Sequence, residues 1–374
     1  MLLEVLMKQS AWSQVVVLLG AVLGALLVGA LLLVLAGANP LVAYQAMLAG
    51  PLSSRYGLTE TLVKATPLLL VGLGIVIAFR NGILNIGAEG QIMIGALAGT
   101  AFALGFPNLS GVLLFPLTLL ISFAAGAVWG GIPGWLKAYL GVNEILSTVM
   151  LNSIATQLVT FMLRGVLIDP QEVAYGTGFP QTAPLPRSIW LGRLLPRTRL
   201  HVGFLLALVF AGVVYVFLWR TSLGYRMRAV GAQKEAARYG GVRVEITLVL
   251  AMALSGGFAG LAGMVEVLGI HHRLLNGLSA GYGFSGIVAA LFGRLHPLGA
   301  IPASILFGAL MLGADMMQRA VEVPAAIVFT IQGLVVLFVV GSDLFVRRPD
   351  FARRLFNLRR LVAPMRRSTS EDTG

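Results

Sequence analysis

Apolar residues run through this chain in blocks of about twenty, the length that crosses a bilayer core as a helix, and short polar breaks separate them. The blocks are continuously apolar and do not alternate, so the pattern predicts helices and argues against an outer-membrane barrel. Ten spans are read: about 13–37, 61–79, 88–106, 111–136, 145–164, 202–219, 246–268, 283–293, 298–317 and 323–342. Residues 90–136 hold no charged side chain, which is room for two spans joined tightly at Pro107-Asn108. The second, third and eighth spans carry the weakest signals, and eight spans is the alternative count. The predicted fold is therefore an all-α, polytopic transmembrane helical bundle. Ten spans also divide into two sets of five with opposite orientation, as transporters often do.

Between these blocks lie polar stretches that a bilayer would not carry without a reason. The first is Phe79-Arg80-Asn81-Gly82-Ile83-Leu84-Asn85-Ile86-Gly87-Ala88-Glu89-Gly90-Gln91. Asn81, Asn85 and Glu89 are spaced i, i+4, i+8, so on a continuous helix they would share one face, with Gln91 nearby. That face could hydrogen-bond a polar solute. The competing reading is structural: the asparagines close a broken helix and Glu89 satisfies free N–H groups at a new helix start. A second polar, glycine-containing break falls at 271–284. Interrupted helices at corresponding places in two halves point to a translocation path. In Gly141–Asn152, Asn143 has the form of an N-cap, Glu144 suits a first helical turn, and Asn152 sits deeper in the span with Ser147 and Thr148 before it. Residues 222–242 are basic and rich in Ala and Gly. Within them 225–239 suits one short surface helix with a small-residue face, which either meets a protein groove or lies on anionic lipid; physics alone favours lipid.

Composition agrees with the membrane reading. The 374 residues are 57% hydrophobic and 11% charged, against about 25% charged in soluble proteins. With no cysteine there is no disulfide and no thiolate chemistry. The net charge of +12 is explained by the basic bias of cytoplasmic loops, and no nucleic-acid motif interrupts the apolar runs. The apolar run after Lys8, Val15–Ala36, exceeds the roughly 7–15 residues of a signal core, so it reads as a retained first span. The basic tail and the 220–244 segment are assigned to the cytoplasm together with both termini. The proline-rich 165–200 segment, with a short helix, goes outside despite its four arginines. Residues 1–346 form the membrane domain and 347–374 a basic cytoplasmic tail.

Three lesser signals are set aside. Leu254-Ser255-Gly256-Gly257-Phe258 looks like the start of an ATPase signature, but it lies in an apolar span and the chain has no phosphate loop. His271-His272 lacks further ligand-type partners nearby. Asp315 and Arg319 read as an i,i+4 helix pair. No metal or cofactor is expected.

The blocks Phe79–Gln91, Val142-Asn143-Glu144 through Asn152, Gly224–Arg238, and Gly281-Tyr282-Gly283-Phe284-Ser285-Gly286-Ile287 leading to Leu291-Phe292-Gly293 resemble ABC importer permeases. The resemblance is to the branched-chain amino acid and simple sugar superfamily, closest to its nucleoside-importer branch, and covers about 60–345. It implies a pore-forming subunit in a bacterial cell membrane, paired with a second homologous permease, two cytoplasmic ATPase subunits and an extracytoplasmic substrate-binding lipoprotein. The expected substrate pathway is Asn81, Asn85, Glu89, Gln91, Asn143, Glu144, Asn152 and Phe284. The expected ATPase-coupling residues are Gly224, Arg226, Arg228, Ala229, Gly231, Ala236, Ala237 and Arg238. That assignment reverses the lipid preference for this segment. Ser285 departs from the family pattern, where an acidic residue is expected. Nucleosides are the expected solute, with simple sugars or branched-chain amino acids as alternatives. A reading of another class is an ion-coupled transporter with its own titratable relay, for which Glu89, Glu144 and Glu266 are the candidates.

Overall fold

The computed structural model describes residues 11–176 and 178–324, and residues 327, 330, 331, 333, 334 and 337 beyond them. The Lys8 flank, much of the tenth predicted span and the basic tail lie outside the described residues. The chain divides into two compact units, one of Gln45–Met316 and one drawn from Met1–Tyr44 and Met317–Gly374. Every candidate site residue belongs to Gln45–Met316.

The described chain is helical, with isolated bridges in place of strands. In order the helices are α1 Ala11–Leu35, α2 Pro40–Ala49, α3 Arg55–Arg80, α4 Ala88–Gly105, α5 Gly111–Leu140, α6 Glu144–Arg164, α7 Pro170–Tyr175, α8 Gly203–Arg220, α9 Ser222–Ala232, α10 Lys234–Tyr239, α11 Val244–Glu266, α12 Tyr282–Phe292 and α13 Pro297–Val321. Several ends are set by capping side chains. Ser54 Oγ accepts from Gly57 N at 3.0 Å, which starts α3 before the predicted 61. Asn143 Oδ1 accepts from Ile145 N at 2.9 Å and opens α6, as its sequence position predicts. Gly141, at φ +69, supplies the left-handed turn that ends α5.

Among the described residues, 6 helices are long and apolar enough to cross a membrane. They are α3, α5, α6, α8, α11 with the turn that follows it, and α13. The expected count of ten is not confirmed among these residues. The third predicted span is α4, which opens on Glu89 and Gln91 and starts only after a non-helical stretch. The eighth is α12, at 11 residues about 16 Å long, half a bilayer core.

Helices α3 and α11 form the core of Gln45–Met316. Their most apolar windows are 83% and 78% buried, against 22–28% for α5, α6 and α8. Lipid tails are as apolar as leucine, so helices in a membrane gain little from burial alone and need close backbone approach. Glycines provide it. Gly126 and Gly130 of α5 face Gly256 and Gly260 of α11 so closely that a Cβ on Gly126 or Gly256 would strike the other's carbonyl. Gly95 of α4 meets Gly260 in the same way. The Ser255-Gly256-Gly257 run is therefore a packing surface. In the other unit, Tyr44 Oη donates to Leu26 O at 2.5 Å, and Gly29 leaves room for the Tyr44 hydroxyl.

Candidate functional site

Two helix breaks meet in the interior of Gln45–Met316. The first begins where α3 ends. Asn81 takes the C-cap position, its N–H bonded to Ile77 and Ala78 carbonyls, and Gly82 follows at φ +75. The chain then runs without helix until α4 starts at Ala88. The expectation that Asn81, Asn85 and Glu89 share one helical face is thus corrected: a left-handed glycine stops the helix between them. The second break follows a π turn at Val267–His271 and a left-handed His272 at φ 57. It ends at Gly281, at φ +82, where α12 starts.

The predicted residues fall into distinct roles. Asn85 is 0% exposed. Its Oδ1 accepts from Gly87 N at 2.9 Å, and its Nδ2 donates to Gln91 Oε1 at 2.9 Å and to Ser255 Oγ at 2.8 Å. Asn81, also buried, donates through Nδ2 to Thr247 O of α11 at 3.1 Å. Asn152 of α6 spans the break: its Nδ2 donates to Ile86 O at 2.9 Å and its Oδ1 accepts from Gly90 N at 2.8 Å. Glu89, half-buried, reaches the second break. Its Oε1 accepts from Gly281 N at 3.0 Å and its Oε2 from Gly283 N at 2.7 Å, so a carboxylate fills the N-terminus of α12. Phe284, one residue on, is half exposed.

Asn143 and Glu144 do not join this group. They sit two turns from Asn152 at the start of α6, where Glu144 pairs with Lys137 Nζ at 2.8 Å. Arg80, whose position in the first break gave the only signal, is a residue that sequence reasoning left out. Its Nε donates to Leu295 O at 2.8 Å and its Nη2 to Arg294 O at 3.4 Å, just past the C-terminus of α12.

The expected single helix over 225–239 is two helices. Gln233 is extended, at φ −158 and ψ 113, between α9 and α10. Each piece has its own anchor. Thr221 caps α9, accepting from Gly224 N at 3.1 Å, and Arg228 Nε donates to Leu218 O at 3.0 Å. Arg238 of α10 pairs with Glu245 of α11. The small residues do not all face outward. A Cβ on Gly224 would strike Phe217 and Leu218 backbone, and one on Gly231 would strike the Arg80 carbonyl. Ala237 is buried and Ala229 half-buried. Tyr225, Arg226, Ala236, Arg238 and Tyr239 are exposed. Arg80 and Arg228 both stand 5.5 Å over the Trp219 ring.

At the opposite end of the same unit, the 165–200 segment includes the short helix that the sequence predicts, capped by Asp169. It is fastened to the second break: Thr182 N donates to Leu274 O at 3.0 Å and Leu185 N to His272 O at 2.8 Å. Trp190 stacks on His272 at 3.7 Å. His201, buried, accepts from Gly203 N at 3.1 Å. Burial, with His272 and Arg199 nearby, pulls its pKa down to about 4, which keeps it a neutral acceptor. Charged residues also gather at this end. Glu60 pairs with Arg199 at 3.1 Å and Lys64 with Asp315 at 2.8 Å. The Asp315–Arg319 reading is thereby corrected, because Lys64 of α3 lies across the interface at ion-pair distance. His271 Nε2 is 3.7 Å from Glu266. Among the described residues no group of three or more His, Cys, Asp or Glu could hold a metal ion.

Residues 57–340 match the family described as branched-chain amino acid transport system, permease component. A glucose ABC transporter permease protein, TsgB13 of Haloferax volcanii, is 39% identical over 87% of this chain and 87% of its own. The guanosine ABC transporter permease protein NupP of Bacillus subtilis is 35% identical over 88% of this chain and 94% of its own. The nucleoside ABC transporter permease protein NupB of Lactococcus lactis is 31% identical over 87% of this chain and 90% of its own. No solved structure matches the chain.

Proposed function

The chain belongs to the ABC importer permease family, and from that premise we propose that it forms the membrane pathway for an uncharged, hydroxyl-bearing solute, a nucleoside first. One observation carries the solute class: the Glu89 carboxylate holds the two N–H groups at the start of α12. The N-terminus of a half-helix inside a membrane attracts an anionic group. Here the protein supplies that anion, so a solute carboxylate would meet repulsion. This disfavours branched-chain amino acids, and the guanosine and nucleoside relatives support the choice. A sugar is the second reading, favoured by the glucose permease relative at 39% identity.

The pathway runs beside the two breaks, with Glu89 and Phe284 nearest the solute; Asn81, Asn85, Gln91 and Asn152 hold the breaks in shape. A second homologous permease completes the pore, and a substrate-binding lipoprotein delivers the solute. Cytoplasmic ATPase subunits dock on α9–α10. The exposed Tyr225, Arg226, Ala236, Arg238 and Tyr239 suit a protein groove, while Gly224, buried, and Gly231, close against the Arg80 carbonyl, seat the segment on its own chain. Uptake by cells carrying the importer should be competed by adenosine or guanosine, less by glucose, and not by leucine; competition by leucine alone would overturn the solute class. Ala236→Trp adds bulk to the exposed face. It should cut ATP-driven uptake at least about tenfold while the permease still inserts, and normal uptake would remove the docking role.

A further inference from the structure

Helix α12 is held at both ends by flanks of one short segment. Glu89 binds its first N–H groups and Arg80 binds the carbonyls just past its last turn. The signs suit the helix dipole, an anion at the N-terminus and a cation at the C-terminus. Between the two side chains, residues 81–87 run without helix. They are tied sideways to α11 through Asn81 and Asn85, and to α6 through Asn152. At its lower end the segment meets α9 backbone to backbone. Gly82 lies with its Cβ position 3.2 Å from the Gly231 Cα, and Gly231 abuts the Arg80 carbonyl. No flexible side chain intervenes to absorb a displacement there.

We infer that Arg80 and Glu89 are positioning residues that lock the half-helix α12 to the coupling segment, so that the two travel as one body. The broken stretch 81–87 is a strut and not a hinge. A hinge needs residues free to absorb changes in φ and ψ, and this stretch is bonded to three helices. The functional consequence rests on the proposed role of α9–α10 in ATPase docking. A shift imposed on α9 would be delivered to the Gly281–Phe284 corner, beside the proposed pathway, without loss along the way.

The natural absence of cysteine makes the test direct. Spin labels are placed at Leu291→Cys on α12 and Ser222→Cys on α9, both exposed and outside the proposed docking residues, in the importer purified with its partner subunits. The distance between them is read with and without ATP. With Arg80 and Glu89 intact it should hold within about 1 Å, although helices in switching proteins shift by about 1–2 Å or more. With Glu89→Gln or Arg80→Ala it should change with nucleotide by about 2 Å or more. ATP hydrolysis should persist in those variants while uptake falls about tenfold, and Glu89→Asp should recover part of the uptake. A nucleotide-dependent change with both residues intact overturns the lock. So does an unchanged distance in variants that have lost uptake. The distance does not depend on the docking reading: if Ala236→Trp leaves uptake normal, the docking role fails and the lock is still judged by the labels. Should a single variant fail to insert, the milder Glu89→Asp carries the same distance measurement.

Discussion

At the scale of residues, the polar groups inside the membrane domain are mostly consumed by the protein's own backbone and side chains. Asn85 is the extreme case, with its amide shared among Gly87, Gln91 and Ser255 and no exposed surface. Leaving a buried donor or acceptor unpaired costs about 1–3 kcal/mol. Asn85→Ala would strand several at once. Its thermal unfolding in detergent should therefore move down by several degrees, of the order that about 2 kcal/mol produces, while competition among solutes keeps its order. A changed solute order at unchanged unfolding temperature would return Asn85 to the pathway. The asparagines and Glu89 were visible in the sequence as a polar cluster at membrane depth. Their partners were not, because Thr247, Ser255 and Gly281 lie more than 150 residues away along the chain. The spacing that suggested one helical face was misleading for a local reason: Gly82 adopts a positive φ that ends the helix.

At the scale of elements, glycine decides which helices come together. Gly260 of α11 sits against Ser122 and Gly126 of α5 and Gly95 of α4. A larger side chain there must push three backbones apart. Gly260→Leu should destabilise the purified permease by about 1–3 kcal/mol or more, read as a lower unfolding temperature. Gly131→Leu on α5, where a Cβ meets only Ala253 at 3.7 Å, serves as the comparison and should change it little. Equal effects of the two would show that close approach is not what holds α5 to α11. The helices themselves were legible from the apolar blocks, often to within a few residues. The pairing was not, since a run of glycines announces close packing without naming the partner. The split of the 222–242 segment at Gln233 was likewise hidden. Its cause is tertiary, one piece anchored on α8 and Arg80 and the other on Glu245.

At the scale of the whole molecule, the unit Gln45–Met316 has two chemically different ends. One gathers α9, α10, Arg80, Arg220 and Arg294; the other gathers the 165–200 segment, whose Arg199 pairs with Glu60 and whose Asp169 pairs with Arg273. The basic-residue bias predicts that the first end faces the cytoplasm. Tyr239 and Tyr175 mark the two ends and are 94% and 95% exposed. In the cysteine-free chain, Tyr175→Cys should react with an impermeant maleimide on intact cells, and Tyr239→Cys only after the membrane is opened. The reverse pattern would invert the topology and move the coupling role to the 165–200 segment.

Hydrophobic block length and charge bias are local, additive properties, and they were enough to determine a helical membrane protein, most of its helices and where they break. The signature residues around both breaks were enough to point to an importer permease. Only the folded chain decided what those residues do, because hydrogen-bond satisfaction in a membrane is settled across helices distant in sequence. It turned Asn85 and Asn152 into braces, placed the Glu89 carboxylate on the start of α12, and brought Arg80, an unassigned residue of the same stretch, to the other end of that half-helix.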